Sequence, residues 1–148
     1  MATSEMAVAE ARLESIKTGL ISAATVGLVA GAVLFSSVLV ADFTAWPLPL
    51  PSSLLEWLVN IAVAITSGFF FGVTYRYIVR QDDNLHLGSG AVGAFAFVRS
   101  LAHIEANWDD TFALLTWVLI TGESFLWFVS ARYVLDWTIS QGRIKPID

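Results

Sequence analysis

The sequence predicts an all-α polytopic membrane protein, four transmembrane helices preceded by a short N-terminal amphipathic helix. Three observations carry that expectation. Apolar stretches of spanning length recur along the 148 residues. Charge is scarce, with 56% of residues hydrophobic and 14% charged, where a soluble domain carries about a quarter charged. The connections also alternate in sign. Arg12 and Lys17 precede the first stretch, Asp42 and Glu56 follow it, and Arg76 and Arg80 follow the second. Glu105, Asp109 and Asp110 separate the third from the fourth, and Arg132, Arg143 and Lys145 lie at the C-terminal end. Basic side chains are retained on the cytoplasmic face of a bilayer, so both termini are expected there (the stromal side, in a thylakoid).

Residues 1–17 form the expected amphipathic helix. Met6, Ala9, Leu13, Ile16 and Leu20 recur at helical spacing, with Glu5, Glu10, Glu14 and Lys17 on other faces. Anionic lipid repels such an acidic face, so the helix is expected to dock on protein rather than lie on the membrane. Acidic residues stand where a signal peptide has a basic start, and no cleavable signal is expected.

The four-helix transmembrane domain covers 18–148, with spans at about 18–41, 54–79, 87–104 and 111–135. At 1.5 Å per residue such spans suit a hydrocarbon core roughly 30 Å thick. Asp42, Trp46 and the prolines 47, 49 and 51 end the first span in a stiff, extended outer loop. Trp57 and Trp108 at outer ends, and Tyr75, Tyr77, Tyr133 and Trp137 at inner ends, read as interfacial aromatics. The third span is short, contains Gly88, Gly90, Gly93 and Arg99, and could be re-entrant. The alternation of charge argues for a full crossing. Gly142, then Arg143, Lys145 and Pro146, reads as a helix stop.

Small residues recur at four-residue spacing: Gly19, Ala23, Gly27 and Gly31 in the first span, Gly68 and Gly72 in the second. In the third, Ser89 pairs with Gly93 and Gly90 with Ala94 at the same spacing. Such ridges let helix backbones approach closely. They fit packing within one bundle, contact between chains or, more remotely, a pore lining. The ridge on the first span is expected to be the main contact with a partner chain.

The sharpest local feature is ionisable. Glu123 falls near the middle of the fourth span, where a charge costs at least about 2.5–3.5 kcal/mol unless paired or protonated. Arg99 is offset from it by about 10 Å along the helix axis, within joint side-chain reach, and Asn60 lies at similar depth. A structural pair fixing helix register is the leading expectation. The runner-up is a proton-coupled carrier or channel using Glu123, although other polar residues such as Ser36, Thr66 and Ser124 can bond their own helix.

His86 and His103 lie at opposite ends of the third span and cannot share a metal; each reads as an interfacial polar residue, with an axial haem or pigment ligand as the remoter option. No catalytic residue, metal ligand or cofactor is assigned, since no Ser-His-Asp order, paired-carboxylate motif or phosphate loop is present. The chain has no cysteine, which excludes disulfides and thiol chemistry. A net charge of −5 excludes nucleic acid as an expected partner.

Residues 76–105 carry a basic span end, an acidic-Asn turn, a Leu-x-Leu entry at 85–87, Gly90-Ala91-Val92 and Phe97-Val98-Arg99-Ser100-Leu101. This segment resembles a family of small multi-span membrane proteins of cyanobacteria and plastids. The resemblance implies a thylakoid or bacterial inner-membrane location and a role beside photosynthetic complexes; it carries over no site residues. The expected function is therefore that of a non-enzymatic membrane subunit or assembly factor, with the bilayer and a second copy or a larger complex as partners. A pigment- or haem-binding subunit is the third alternative.

Overall fold

The computed structural model describes residues 2–43, 50–79, 85–106 and 113–145. The prolines at 47 and 49, Arg80, Trp108, Asp109, Asp110, the expected start of the fourth span at 111 and Pro146 lie outside the described residues, as does the side chain of Asp42. Four helices account for nearly all the rest: α1 (Ala2–Phe43), α2 (Leu54–Ile78), α3 (Leu85–Ala106) and α4 (Ala113–Ser140). All four are long and apolar enough to cross a membrane, and no strand occurs among the described residues. The third segment is thus a full-length helix despite its glycines.

Successive helices run antiparallel, which places the start of α1 and the end of α4 together; this is termed the terminal end, and the opposite one the loop end. The α1–α2 contact is the most extensive, followed by α3–α4 and α1–α4. α2 touches α3 and α4 more lightly, and α1 and α3 do not meet among the described residues. The bundle is therefore a diamond, with α1 and α3 at its far corners.

Its surface is apolar, and its interior combines an apolar core around Phe71, Trp127 and Phe128 with several polar side chains. Leu28, Leu54 and Leu114 are each more than three-quarters exposed, whereas Ser15, Thr18, Ser22, Arg76, Ser100 and Ser124 are buried. Apolar side chains that face outward along spanning helices require a lipid solvent, and several buried hydroxyls bond carbonyls of their own helix, as Thr18 does to Glu14 (2.7 Å), Ser100 to Ala96 (2.6 Å) and Ser124 to Ile120 (2.8 Å), whereas Ser22 Oγ has no partner. The molecule is a multi-pass helical bundle suited to a bilayer.

The α1–α2 seam is built from the small residues. A Cβ on Gly72 would lie 2.6 Å from Ser22 Cβ and from the Thr18 carbonyl, and one on Gly68 would lie 2.8 Å from Val26 Cβ. A Cβ on Gly19 would lie 2.7 Å from the Phe69 ring and one on Gly27 3.1 Å from Ile65, while Ala23 is buried with its Cα 3.0 Å from the Gly68 Cβ position. Most of the first-span ridge is thus taken up inside the chain, which corrects its expected role as the main contact with a partner. Gly31, Gly90 and Gly93 have nothing within 4 Å of a Cβ position; they do not pack this bundle.

α1 is unbroken over its 42 residues, about 60 Å at helix rise, roughly twice the hydrocarbon thickness. The end of α2 comes level with Ala11–Ser15, because Arg76 Nη1 donates to the Ala11 carbonyl (2.8 Å) and Ser15 Oγ (2.6 Å). Residues before Ala11 extend past the bundle. The face of α1 that the chain buries there is Ser15, Thr18 and Ser22, whereas Met6 (65%), Leu13 (67%), Ile16 (48%) and Leu20 (58%) remain exposed. The apolar stripe expected to dock on protein is left uncovered by the other described residues.

A C-terminal hook closes the terminal end. Gly142 adopts φ +67°, and its N–H donates to the Ile139 carbonyl (2.9 Å) while that of Arg143 donates to Thr138 (3.1 Å). This is a Schellman cap, which satisfies the last carbonyls of α4 and reverses the chain. Ile144 is then fully buried, Arg76 Nε donates to the Lys145 carbonyl (3.0 Å), and Lys17 Nζ donates to the Arg143 carbonyl. Lys145 Nζ meets Glu10 at 2.7 Å, and that carboxylate holds its ammonium above the usual lysine range. Both partners of the last contact are exposed, so it contributes little beside the buried Arg76.

Candidate functional site

The intramembrane polar site lies in the loop-end half of the bundle. The antiparallel α3–α4 pairing sets Arg99 beside Glu123, Ser124 and Trp127. Arg99 Nη1 donates to Ser124 Oγ (2.7 Å), Nη2 lies 3.7 Å from Glu123 Oε1, and Cζ stands 3.6 Å from the Trp127 ring centroid. The Arg99 side chain is 9% exposed and that of Glu123 25%. A guanidinium held by a hydroxyl, a carboxylate and an aromatic face replaces much of the hydration it loses. Arg99 Nε is buried and has no hydrogen-bond partner.

Above this cluster the four helices enclose a chamber of about 250 Å³, whose polar lining is Glu56, Asn60, Arg99, His103, Thr116 and Glu123. Asn60, Arg99 and His103 also form the polar edge of a second cavity of about 560 Å³, an otherwise mostly apolar cleft between α2 and α3. Val59 (52%), Val63 (47%), Phe70 (57%) and Val98 (69%) line that cleft and are exposed on the outer surface. The cleft therefore opens sideways, toward lipid. Toward the terminal end the site is floored by Phe71, Phe95 and Phe128, whose ring centroids lie 5.2–5.5 Å apart.

Asn60 is at the expected depth but not in the pair: its Nδ2 donates to the Glu56 carbonyl (2.9 Å). Glu56 acts as part of the α2 cap, accepting from Ser52 N–H (2.7 Å) and Ser52 Oγ (2.9 Å) while its own N–H donates to Ser53 Oγ (3.2 Å). Sequence reasoning placed His103 at an interface, whereas it is half-buried and lines both cavities. Its four-residue spacing from Arg99 was the available signal, as Asn60 stands to Glu56, since both spacings keep a helix face.

At the terminal end Tyr75 departs from its expected role as an interfacial anchor. It is 1% exposed, and its hydroxyl donates to Asp136 Oδ1 (2.6 Å). Arg132 Nε lies 3.5 Å from the other Asp136 oxygen, and its Nη1 donates to Ser89 Oγ (2.7 Å). Gly88 makes this approach feasible: a Cβ there would lie 2.9 Å from the Tyr75 hydroxyl and 3.2 Å from Arg132. Tyr77, Tyr133 and Trp137 are exposed.

The described polar clusters can hold charge and exchange hydrogen bonds. Among the described residues no three His, Cys, Asp or Glu side chains converge as metal ligands would. Comparison with known protein families, curated proteins and solved structures finds no match to this chain.

Proposed function

We propose that the protein is a non-enzymatic subunit or assembly factor of a larger membrane complex, joined to its partner through the projecting part of α1. One observation carries this reading: Met6 on the projecting turns, and Leu13 and Ile16 where α1 joins the bundle, form an apolar stripe that no other described helix covers. Its leading turn, with Met6, extends past the end of α2. Large exposed apolar patches mark contact with a partner; Glu10 and Glu14 beside the stripe are paired with Lys145 and Lys17 of this chain. Both termini are assigned to the cytoplasmic side, where the basic residues of the terminal end are retained. The resemblance of residues 76–105 is the support for a photosynthetic membrane as the setting.

The carrier reading has less support. Glu123 is opposed by Arg99, and the three-phenylalanine floor separates it from the terminal end. The test of the subunit reading is Met6→Ser combined with Leu13→Ser, both on side chains about two-thirds exposed. Gently solubilised complexes should shrink on native gels while the thermal midpoint of the purified chain stays unchanged. An unaltered complex size overturns the reading.

A further inference from the structure

The two cavities at Arg99 form one amphipathic site, and we propose that it binds a neutral membrane amphiphile whose small ring carries carbonyl or hydroxyl groups, of the quinone or quinol class. The ring would occupy the chamber and its apolar tail the α2–α3 cleft. This inference is independent of the α1 contact, which lies beyond the opposite end of the bundle.

The segregation of polarity is the first argument. A chamber of about 250 Å³ with a mixed polar lining meets a cleft of about 560 Å³ walled by Val59, Val63, Phe70, Phe95 and Val98. Together they fall within the size range of small-molecule sites, mostly apolar with a few convergent polar groups. The cleft opens along the membrane-facing surface, so a lipid-dissolved molecule can enter without crossing water.

Charge selects the head. Arg99 already faces Glu123 at 3.7 Å, and Glu56 contributes a second carboxylate to the same chamber. A phosphate headgroup would have to compete with the Glu123 carboxylate for the one guanidinium, at a depth where uncompensated charge is costly. A neutral ring meets none of that opposition. Arg99 Nη2 lies beyond hydrogen-bond distance of Glu123, which leaves it able to donate to a ring carbonyl, while the Glu123 carboxylate can accept from a ring hydroxyl. The site thus suits either oxidation state of such a ring and requires no electron transfer by the protein.

The probe is decylubiquinone, a benzoquinone with a ten-carbon tail, titrated into the full chain in phosphatidylcholine nanodiscs and followed by quenching of tryptophan fluorescence. Trp127, stacked on Arg99, is one reporter beside the site, and Trp57, bonded to Pro51 of the chamber wall, is another. Saturable binding with one equivalent per chain is expected. Ala102→Trp, on an exposed cleft position of α3, should weaken it at least about tenfold, equivalent to about 1.4 kcal/mol, with an unchanged thermal midpoint. Arg99→Gln should weaken it too, and decylbenzene, which has the tail without the carbonyls, should fail to compete. Non-saturable quenching, indifference to Ala102→Trp, or equal competition by decylbenzene overturns the proposal. So does native mass spectrometry showing a stoichiometric anionic phospholipid that Ala102→Trp displaces.

Discussion

Gly72 and Gly93 are the same residue type in two apolar helices, yet their surroundings give one substitution opposite signs. At Gly72 a methyl group would meet the Thr18 carbonyl and Ser22 Cβ, both at 2.6 Å; the first is backbone, and relief requires α1 and α2 to separate. Overpacking of that kind costs about 1–3 kcal/mol. At Gly93 nothing lies within 4 Å, so alanine adds helix propensity of up to about 1 kcal/mol. Gly72→Ala should therefore lower the unfolding midpoint in detergent micelles and Gly93→Ala should hold or raise it; equal effects would refute the seam. Arg99 and Glu123 were legible as residues because ionisable groups are conspicuous in an apolar run. Trp127 as the stacking surface for Arg99 was not, since six tryptophans offer the same chemistry and only packing selects one.

At the scale of elements, the four spanning-length helices were legible from hydropathy, including the glycine-rich α3. Facing was less so. The apolar periodicity of residues 6–20 is real, but in a bilayer protein apolar side chains gain nothing by leaving lipid for protein. The buried face of α1 follows instead from small and hydroxyl-bearing residues, Ser15, Thr18, Gly19 and Ser22, which let α2 approach. The C-terminal hook was read correctly as a glycine stop, while the burial of Ile144 and the capture of Lys145 by Arg76 depend on α1 and α2 arriving at the same place. Gly142 holds that reversal at φ +67°, a conformation that costs a residue bearing a Cβ about 1–2 kcal/mol. Gly142→Ala should lower the thermal midpoint accordingly, with Gly142→Asn milder because asparagine tolerates the left-handed region. An unchanged midpoint for Gly142→Ala would show that the hook does not contribute to stability.

For the whole molecule, orientation is open to direct measurement because the chain contains no cysteine, so any introduced thiol is unique. Glu105 is exposed at the loop end and Gln141 at the terminal end. A membrane-impermeant maleimide added to intact cells expressing the protein in their inner membrane should label Glu105→Cys and leave Gln141→Cys unmodified until the cells are lysed; the reverse pattern inverts the topology. The sequence by itself determined the solvent, the number of helices and the depth of the ionisable residues, because hydropathy and helix rise are local and additive along the chain. Only the tertiary structure decided that Gly19 and Gly27 face α2, that Arg76 locks the C-terminus, and that Arg99 stands at the junction of a polar chamber and a lipid-open cleft. Those outcomes depend on which helix faces meet, and in a lipid solvent that choice is made by shape and hydrogen bonding, which periodicity alone does not encode.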